Sequence, residues 1–102
     1  MERVDRGVAL PAEMQGRWTV EDEPTSILSI TDGDVTCFGA LIEYDYKEFD
    51  EIDGAITVSL KVDDEAREDS FSRANITDLV ITPEGEFLGY NVKFSVRFLR
   101  EE

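Results

Sequence analysis

The 102-residue chain contains no histidine and only one cysteine, Cys37. Without histidine, the commonest general base near neutral pH is missing, which excludes serine–histidine and cysteine–histidine arrangements. One cysteine excludes a disulfide within the chain. Cys37 precedes Phe38 and has no basic neighbour in the sequence, a setting typical of a buried, unreactive thiol. We therefore predict that the protein is not an enzyme.

Long apolar runs and cationic residues are also scarce. No run approaches the roughly 20 apolar residues of a membrane-spanning helix, and the segment MERVDRGVAL lacks the apolar core of a secretory signal. Ten lysines and arginines face 24 acids, giving a formal net charge of −14. Such a charge opposes contact with nucleic-acid phosphates and anionic lipids. The sequence thus predicts a cytoplasmic protein with no direct nucleic-acid or membrane binding.

The abundance of acids weakens any argument from a carboxylate pair, including a glycosidase pair, because neighbouring acids occur by chance at this composition. TDGDV at 31–35 and DEIDG at 50–54 offer oxygen ligands of the kind calcium prefers. Neither segment fits the twelve-residue calcium loop, and turn chemistry explains their aspartates. We predict no metal site and no cofactor.

What the chain has in abundance is two-residue alternation of apolar and polar side chains, which indicates strands with one buried face. The alternation is clearest at 88–98, 55–63 and 40–47, and shorter strands are predicted at 26–31 and 75–82. The predicted inward positions of the three long segments are Leu88, Tyr90, Val92, Phe94, Val96 and Phe98; Ile56, Val58, Leu60 and Val62; and Ala40, Ile42, Tyr44 and Tyr46.

Turn residues separate these strands. Asp32-Gly33 and Asp53-Gly54 are typical of tight hairpins, and TPEGEF at 82–87 predicts a third turn. Gly39 interrupts a strand pattern, which favours a bulge or a sharp bend.

Two segments lack the alternation. Residues 63–74, DDEAREDSFSRA, are interpreted as an acidic mobile loop with up to one turn of helix. Residues 1–15 form a leader with a short helical turn around PAEMQ.

Successive strands joined by short turns are antiparallel neighbours. We therefore expect a single all-β domain over 1–102, an antiparallel up-and-down meander of six or seven strands. Closure removes the free edges of such a sheet, and the last strand is long enough to pair with the first. The expected architecture is a small closed or nearly closed barrel.

Gly16 and Trp18 form a Gly-x-Trp motif where the first predicted strand begins, after the helical leader. This motif followed by an antiparallel meander resembles the lipocalin and calycin group of β-barrels. The resemblance implies a tryptophan at the closed end of the barrel beneath an arginine of the last strand, here Arg97 or Arg100. It also implies an interior that holds a small hydrophobic molecule.

The first function hypothesis is therefore non-enzymatic binding of a small hydrophobic molecule in a calycin-like interior. Phenol and phenyl rings would line that pocket and orient the ligand. The same rings could instead fill the core of so small a barrel. The predicted ligand-binding residues are Trp18, Phe38, Tyr44, Tyr46, Tyr90 and Phe94.

The second hypothesis is an acidic interaction module, of the inhibitor or immunity type, that binds a basic protein through its negative surface. The alternative is that the acids only keep a small β protein soluble, as a monomer or a homodimer. The candidate partner-binding residues are Asp45, Glu48, Asp50, Glu51, Asp53, Asp63, Asp64, Glu65, Glu68 and Asp69.

Overall fold

The computed structural model describes residues 2–101, which form one curled antiparallel sheet and one α-helix. The predominantly antiparallel β architecture expected from the alternation is confirmed. The strands are β1 (Glu2–Asp5), β2 (Gly16–Val20), β3 (Glu23–Thr31), β4 (Asp34–Cys37), β5 (Ala40–Leu41), β6 (Tyr46–Ile52), β7 (Ala55–Lys61), β8 (Asp78–Ile81), β9 (Phe87–Tyr90) and β10 (Ser95–Arg100). The helix is α1 (Glu65–Ala74), and a 3-10 turn at Ala12–Met14 supplies the short helical turn expected in the leader.

The strands form two consecutive meanders that lie side by side. One contains β2 to β5, and the other contains β6 to β10 with α1 in the β7–β8 connection. The meanders join where β10 pairs with β2, with Arg100 opposite Trp18. β1 adds to the outer side of β6. The last strand thus pairs with the first predicted strand, but the strand order is not a simple sequential meander.

The sheet is open, a half-barrel with β1 and β5 at its two edges. The barrel that we expected to be closed or nearly closed is open, because the chain leaves the sheet after β5 and crosses to β6, beside the opposite edge. Segments 6–10 and 42–45 have no regular structure. The amide of Ile42 donates to the carbonyl oxygen of Val35 in β4, and that of Asp45 to the carbonyl oxygen of Lys61 in β7, both at 2.8 Å. Arg6 Nη1 donates to the carbonyl oxygen of Tyr44 at 3.1 Å, so these segments contact each other without forming a ladder.

The three predicted turns are present, including the one at 82–86 that joins β8 to β9. The turns that join β2 to β3, β4 to β5 and β9 to β10 were missed. Asp32-Gly33 joins β3 to β4, and Asp53-Gly54 joins β6 to β7 with φ values of 53° and 84°. Gly39, with φ 88°, follows Phe38 in the two-residue turn that joins β4 to β5. It therefore closes a hairpin instead of bending one strand, and the predicted strand over 40–47 is divided between β5 and β6.

The predicted strand over 88–98 is also two strands, β9 and β10, joined by a turn. The amide of Asn91 donates to the carbonyl oxygen of Phe94 at 2.8 Å, and Asn91 Oδ1 accepts the amide hydrogen of Lys93 at 2.9 Å. Because of this turn, the side chains that face the core are at odd-numbered positions in β9 and at even-numbered positions in β10. Phe87, Gly89 and Phe98 face the core, whereas Leu88, Tyr90, Val92 and Phe94 do not.

Residues 63–74 contain a helix of ten residues, so the interpretation as a mobile loop is wrong. Asp64 caps its N-terminus by accepting the amide hydrogen of Ala66 at 2.9 Å. Acidic residues in the first turn and Arg73 in the last complement the helix dipole. Phe71 is the one buried residue of α1, so the segment lacks the apolar periodicity of an amphipathic helix. Within residues 2–101, no helix has the length and apolar composition that crossing a membrane requires.

Eighteen apolar residues of the described chain form one buried cluster inside the curled sheet. The bridging segment 42–45 contributes Ile42 and Tyr44 to it, and the 3-10 turn contributes Met14. Phe87 and Phe98 are among the largest fully buried side chains. Side chains therefore fill the concave face of the half-barrel.

Candidate functional site

The six aromatic residues predicted to line a pocket do not come together. Trp18 and Tyr44 are buried in the core at 4% and 1% exposure. Tyr46 is half-buried beneath the guanidinium of Arg3, 3.7 Å from its ring centre. The other three are exposed at turns and a strand end: Phe38, Tyr90 and Phe94.

Trp18 has three specific contacts. Its Nε1 donates to the carbonyl oxygen of Met14 at 3.0 Å, and its ring centre lies 4.5 Å from that of Phe87. The guanidinium carbon of Arg100 lies 3.9 Å above the indole. Of the two candidate arginines, Arg100 is therefore the one that stacks on the tryptophan, a cation–π contact.

Gly16 has a physical reason to precede Trp18 by two residues. Its φ is 111°, a region that residues with a side chain rarely adopt, and a Cβ there would lie 2.6 Å from Arg100 Nη1. Arg100 Nη1 donates to the carbonyl oxygen of Gln15, and Nη2 donates to that of Glu13 at 3.2 Å. These contacts explain the motif but are not specific to lipocalins, so the resemblance stays a prediction.

A cleft of about 730 Å³ opens beside this pair, and we call it the Trp18 cleft. Its apolar part comes from strands far apart in sequence, which is why sequence analysis missed it. Three acids and two arginines also line it: Glu13, Glu84, Glu86, Arg97 and Arg100. The apolar lining residues are Trp18, Ile56, Ile81, Pro83, Phe98 and Leu99.

A second notable site is a fully buried lysine, Lys47, which the alternation placed on a polar face. Lys47 Nζ donates to the carbonyl oxygens of Asp5 and Arg6, both at 2.8 Å, and to the Tyr44 hydroxyl at 3.3 Å. The Tyr44 hydroxyl donates to the carbonyl oxygen of Gly33. This cluster ties the chain after β1 to the bridging segment and to the β3–β4 turn.

Burial changes the acid–base properties of both side chains. Burial, with a smaller contribution from the positive charge of Arg6, lowers the pKa of Lys47. Burial raises the pKa of Tyr44 to about 12, with opposing smaller effects of Arg6 and Asp34. Since Lys47 is surrounded by carbonyl and hydroxyl oxygens and is closed to solvent, its geometry fits a structural role better than a nucleophilic one.

Several of the predicted partner-binding acids stabilise the fold. Asp45 Oδ2 accepts the amide hydrogen of Asp63 at 2.9 Å and lies 3.7 Å from Arg67 Nη1. Asp63 pairs with Arg3 at 3.0 Å, and Asp64 caps α1. These acids have intramolecular partners that a binding partner would have to displace.

The acids on the outer face of α1 are different. Glu65, Glu68 and Asp69 are exposed and line a shallow groove of about 360 Å³ together with Ser72 and Val92. We call this the α1 groove. Asp69 pairs with Arg73 at 3.3 Å. In the described part of the chain, neither Glu65 nor Glu68 has a cationic group within 4.0 Å.

A narrower groove of about 180 Å³ lies between the other side of α1 and the sheet. Its carboxylates are Glu48, Glu68 and Asp78, so Glu68 lines both grooves. Lys61 also lines it, with Nζ 3.9 Å from Glu48 Oε1. Asp50, Glu51 and Asp53, the remaining candidates, lie outside both grooves near the β6–β7 turn.

Cys37 is half-buried, and burial raises the pKa of its thiol to about 11. The thiol is therefore protonated near neutral pH and is a poor nucleophile. Over residues 2–101, the acids and this cysteine form no group of three or more arranged to hold a metal ion.

Comparison of the chain with protein-family models, with curated proteins and with solved structures finds no match. The arrangement of charge and apolar surface is therefore the basis for a functional proposal.

Proposed function

We propose that the protein is an acidic interaction module that binds a basic, partly apolar segment of another protein at the α1 groove. The observation that carries this proposal is that carboxylates without an ion-pair partner and an exposed apolar side chain line the same groove. Glu65 and Glu68 supply the charge, and Val92, 65% exposed, lies in the same groove.

Electrostatics supports a basic partner. The whole chain has a net charge of −14, so its long-range field attracts cations and speeds their encounter with the surface. At the groove, the carboxylates of Glu65 and Glu68 are available without breaking an ion pair. A lysine or arginine placed between them would gain two interactions and displace only water.

The apolar contribution comes from the turn between β9 and β10. Val92 and Phe94 are exposed at its tip, and Tyr90 is exposed where β9 ends. Asn91 Nδ2 donates to the carbonyl oxygen of Ser72 at 2.9 Å, which fixes this turn against α1. A fixed apolar patch beside polar residues is typical of an interaction surface.

Binding of a hydrophobic molecule inside the half-barrel has less support. Trp18 and Tyr44 are packed into the core, and Phe38, Tyr90 and Phe94 lie outside it. A ligand in the interior would have to displace buried side chains.

The test is a titration with a fluorescent amphipathic peptide of lysine and leucine, followed by anisotropy. The double variant Glu65→Gln/Glu68→Gln removes two charges from the groove, and Asp22→Asn/Glu23→Gln removes two from the exposed β2–β3 turn. Exposed charge pairs contribute up to about 1 kcal/mol each, so we expect about tenfold weaker binding for the groove variant. The control variant should lose only about twofold.

Salt provides a second measurement. Raising ionic strength from about 0.05 M to about 0.5 M shortens the screening length several-fold, so binding of the wild type should weaken by at least tenfold. Equal losses in the groove and control variants would mean that only net charge attracts the peptide. That result would contradict a site at the α1 groove.

A further inference from the structure

We propose that the Trp18 cleft binds a small molecule with a flat apolar body and one carboxylate or sulfonate group. The apolar body lies in the cleft beside Trp18, and the anionic group pairs with Arg100. This site is separate from the α1 groove, shares no lining residue with it and takes a ligand of opposite charge.

The dimensions and lining of the cleft suit such a ligand. Its volume of about 730 Å³ lies within the range of small-molecule sites. Trp18 of β2, Ile56 of β7, Ile81 of β8 and Phe98 of β10 line the cleft. Because four strands supply these side chains, the apolar surface is fixed by the sheet and needs no ordering when a ligand binds.

Arg100 is the reason to expect an anionic group. The chain has 24 acids, yet within residues 3–101 no carboxylate oxygen lies within 4.0 Å of a side-chain nitrogen of Arg100. Its guanidinium has five N–H groups, and two backbone carbonyls are its acceptors in the described chain. Donors and a full positive charge thus remain for a ligand.

The position of this guanidinium is fixed before any ligand arrives. It stacks on Trp18 at 3.9 Å, is held by the carbonyls of Gln15 and Glu13, and occupies the space that Gly16 leaves open. Arg97 on the same cleft differs, because Glu21 and Glu86 each lie 3.5 Å from it. A planar, preorganised guanidinium is well suited to a bidentate contact with a carboxylate.

The experiment uses 1-anilinonaphthalene-8-sulfonate (ANS), an aromatic sulfonate, as the probe. Trp18 is the only tryptophan, so energy transfer from tryptophan to the probe reports binding to the protein, and the variants below locate the site. Competition with 2-naphthoate and its neutral analogue 2-naphthamide then tests the charge requirement in the wild-type protein. We expect 2-naphthoate to displace the probe at about tenfold lower concentration, the effect of one charge-assisted hydrogen-bonded pair.

Matched variants locate the site. Arg100→Gln should weaken probe binding about tenfold and abolish the preference for naphthoate, whereas Arg97→Gln, with the same change in charge, should leave the preference intact. Phe94→Ser tests whether the probe binds the β9–β10 turn instead. Circular dichroism confirms folding of each variant, and Arg100→Lys, which keeps the charge, replaces Arg100→Gln if that variant unfolds. The Arg100→Lys variant should still prefer naphthoate over naphthamide but should bind naphthoate more weakly than the wild type does.

Three results would overturn the proposal. The first is equal competition by naphthoate and naphthamide in the wild type. The second is an equal effect of Arg97→Gln and Arg100→Gln. The third is loss of probe binding in Phe94→Ser with none in Arg100→Gln. Since none of these measurements involves the basic peptide, failure here leaves the proposal for the α1 groove to its own test.

Discussion

Replacing Trp18 by alanine tests the packing of the half-barrel at a buried aromatic residue that contacts Met14, Phe87 and Arg100. The indole is 4% exposed and packs against Phe87, with a ring-centre distance of 4.5 Å. Removing a buried tryptophan costs about 3–5 kcal/mol, from lost transfer free energy and the cavity left behind. Loss of the Nε1–H bond to Met14 adds about 1 kcal/mol. We therefore expect a total of about 4–6 kcal/mol.

That cost is a large part of the 5–15 kcal/mol by which a domain of this size is usually stable. The variant Trp18→Phe fills most of the space and loses mainly the hydrogen bond, so it should lose about 1–2 kcal/mol. At roughly 4–8 °C per kcal/mol for a domain near 100 residues, its melting temperature should fall by about 5–15 °C.

Urea unfolding followed by far-UV circular dichroism measures these changes, because removing the only tryptophan also removes its fluorescence signal. Phe94→Ala is the matched control, since Phe94 is exposed and its replacement should change the unfolding free energy by less than about 0.5 kcal/mol. If Trp18→Ala moves the unfolding midpoint no more than Phe94→Ala does, the reasoning about the core is refuted.

Two further predictions concern the bridging segment and the Gly-x-Trp motif. The pKa of Tyr44 is raised from 10.0 to about 12, so the unfolded chain ionises first and stability falls as pH rises from 10 to 12, by about 2 kcal/mol from this residue. The unfolding free energy, measured by urea titration at pH 9 and pH 12, should fall by about 2 kcal/mol less in Tyr44→Phe than in the wild type. An identical fall in both proteins would contradict the raised pKa of Tyr44. Gly16→Ala should cost about 1–3 kcal/mol, because φ is 111° and the added Cβ would meet Arg100 Nη1 at 2.6 Å. Gly7→Ala is its control, with no atom within 4 Å of the added Cβ, and equal unfolding midpoints for the two variants would refute the steric argument.

Alternation predicted strands well wherever one face stays buried along the whole segment. Residues 55–63 lie mainly in β7, with Val58 and Leu60 buried as expected. The same signal failed at 88–98, because a short turn exchanges the two faces and leaves the apolar spacing unchanged. Asn91 was the available clue, since asparagine is favoured in turns and depleted in strands.

The alternation of apolar and polar residues could predict neither the helix nor the open sheet. α1 buries only Phe71, so its sequence shows no helical stripe, although Asp64 at its start is a usual N-cap. The edges stay unpaired because the 42–45 segment crosses between them. Lys47, polar by residue type yet fully buried, could not be placed inside by any hydropathy pattern.

The candidate sites were predictable only in part. The contact between Trp18 and an arginine of the last strand followed from the resemblance, and the structure places Arg100 there. The rest of that cleft comes from turns and strands that only the folded sheet brings together. The acids of α1 were identified from composition, but which of them lack partners depends on side-chain geometry.

The way the half-barrel is held across its gap has a consequence for its motions. Across the gap, Arg6 lies 3.6 Å from Asp34 of β4 and donates to the carbonyl oxygen of Tyr44, and the Tyr44 hydroxyl donates to that of Gly33, instead of a continuous ladder. This seam is therefore able to separate while the eight central strands keep their pairing on both sides. Because Ile42 and Tyr44 are each 1% exposed at this seam, its opening exposes buried side chains to solvent while the strand pairing is kept.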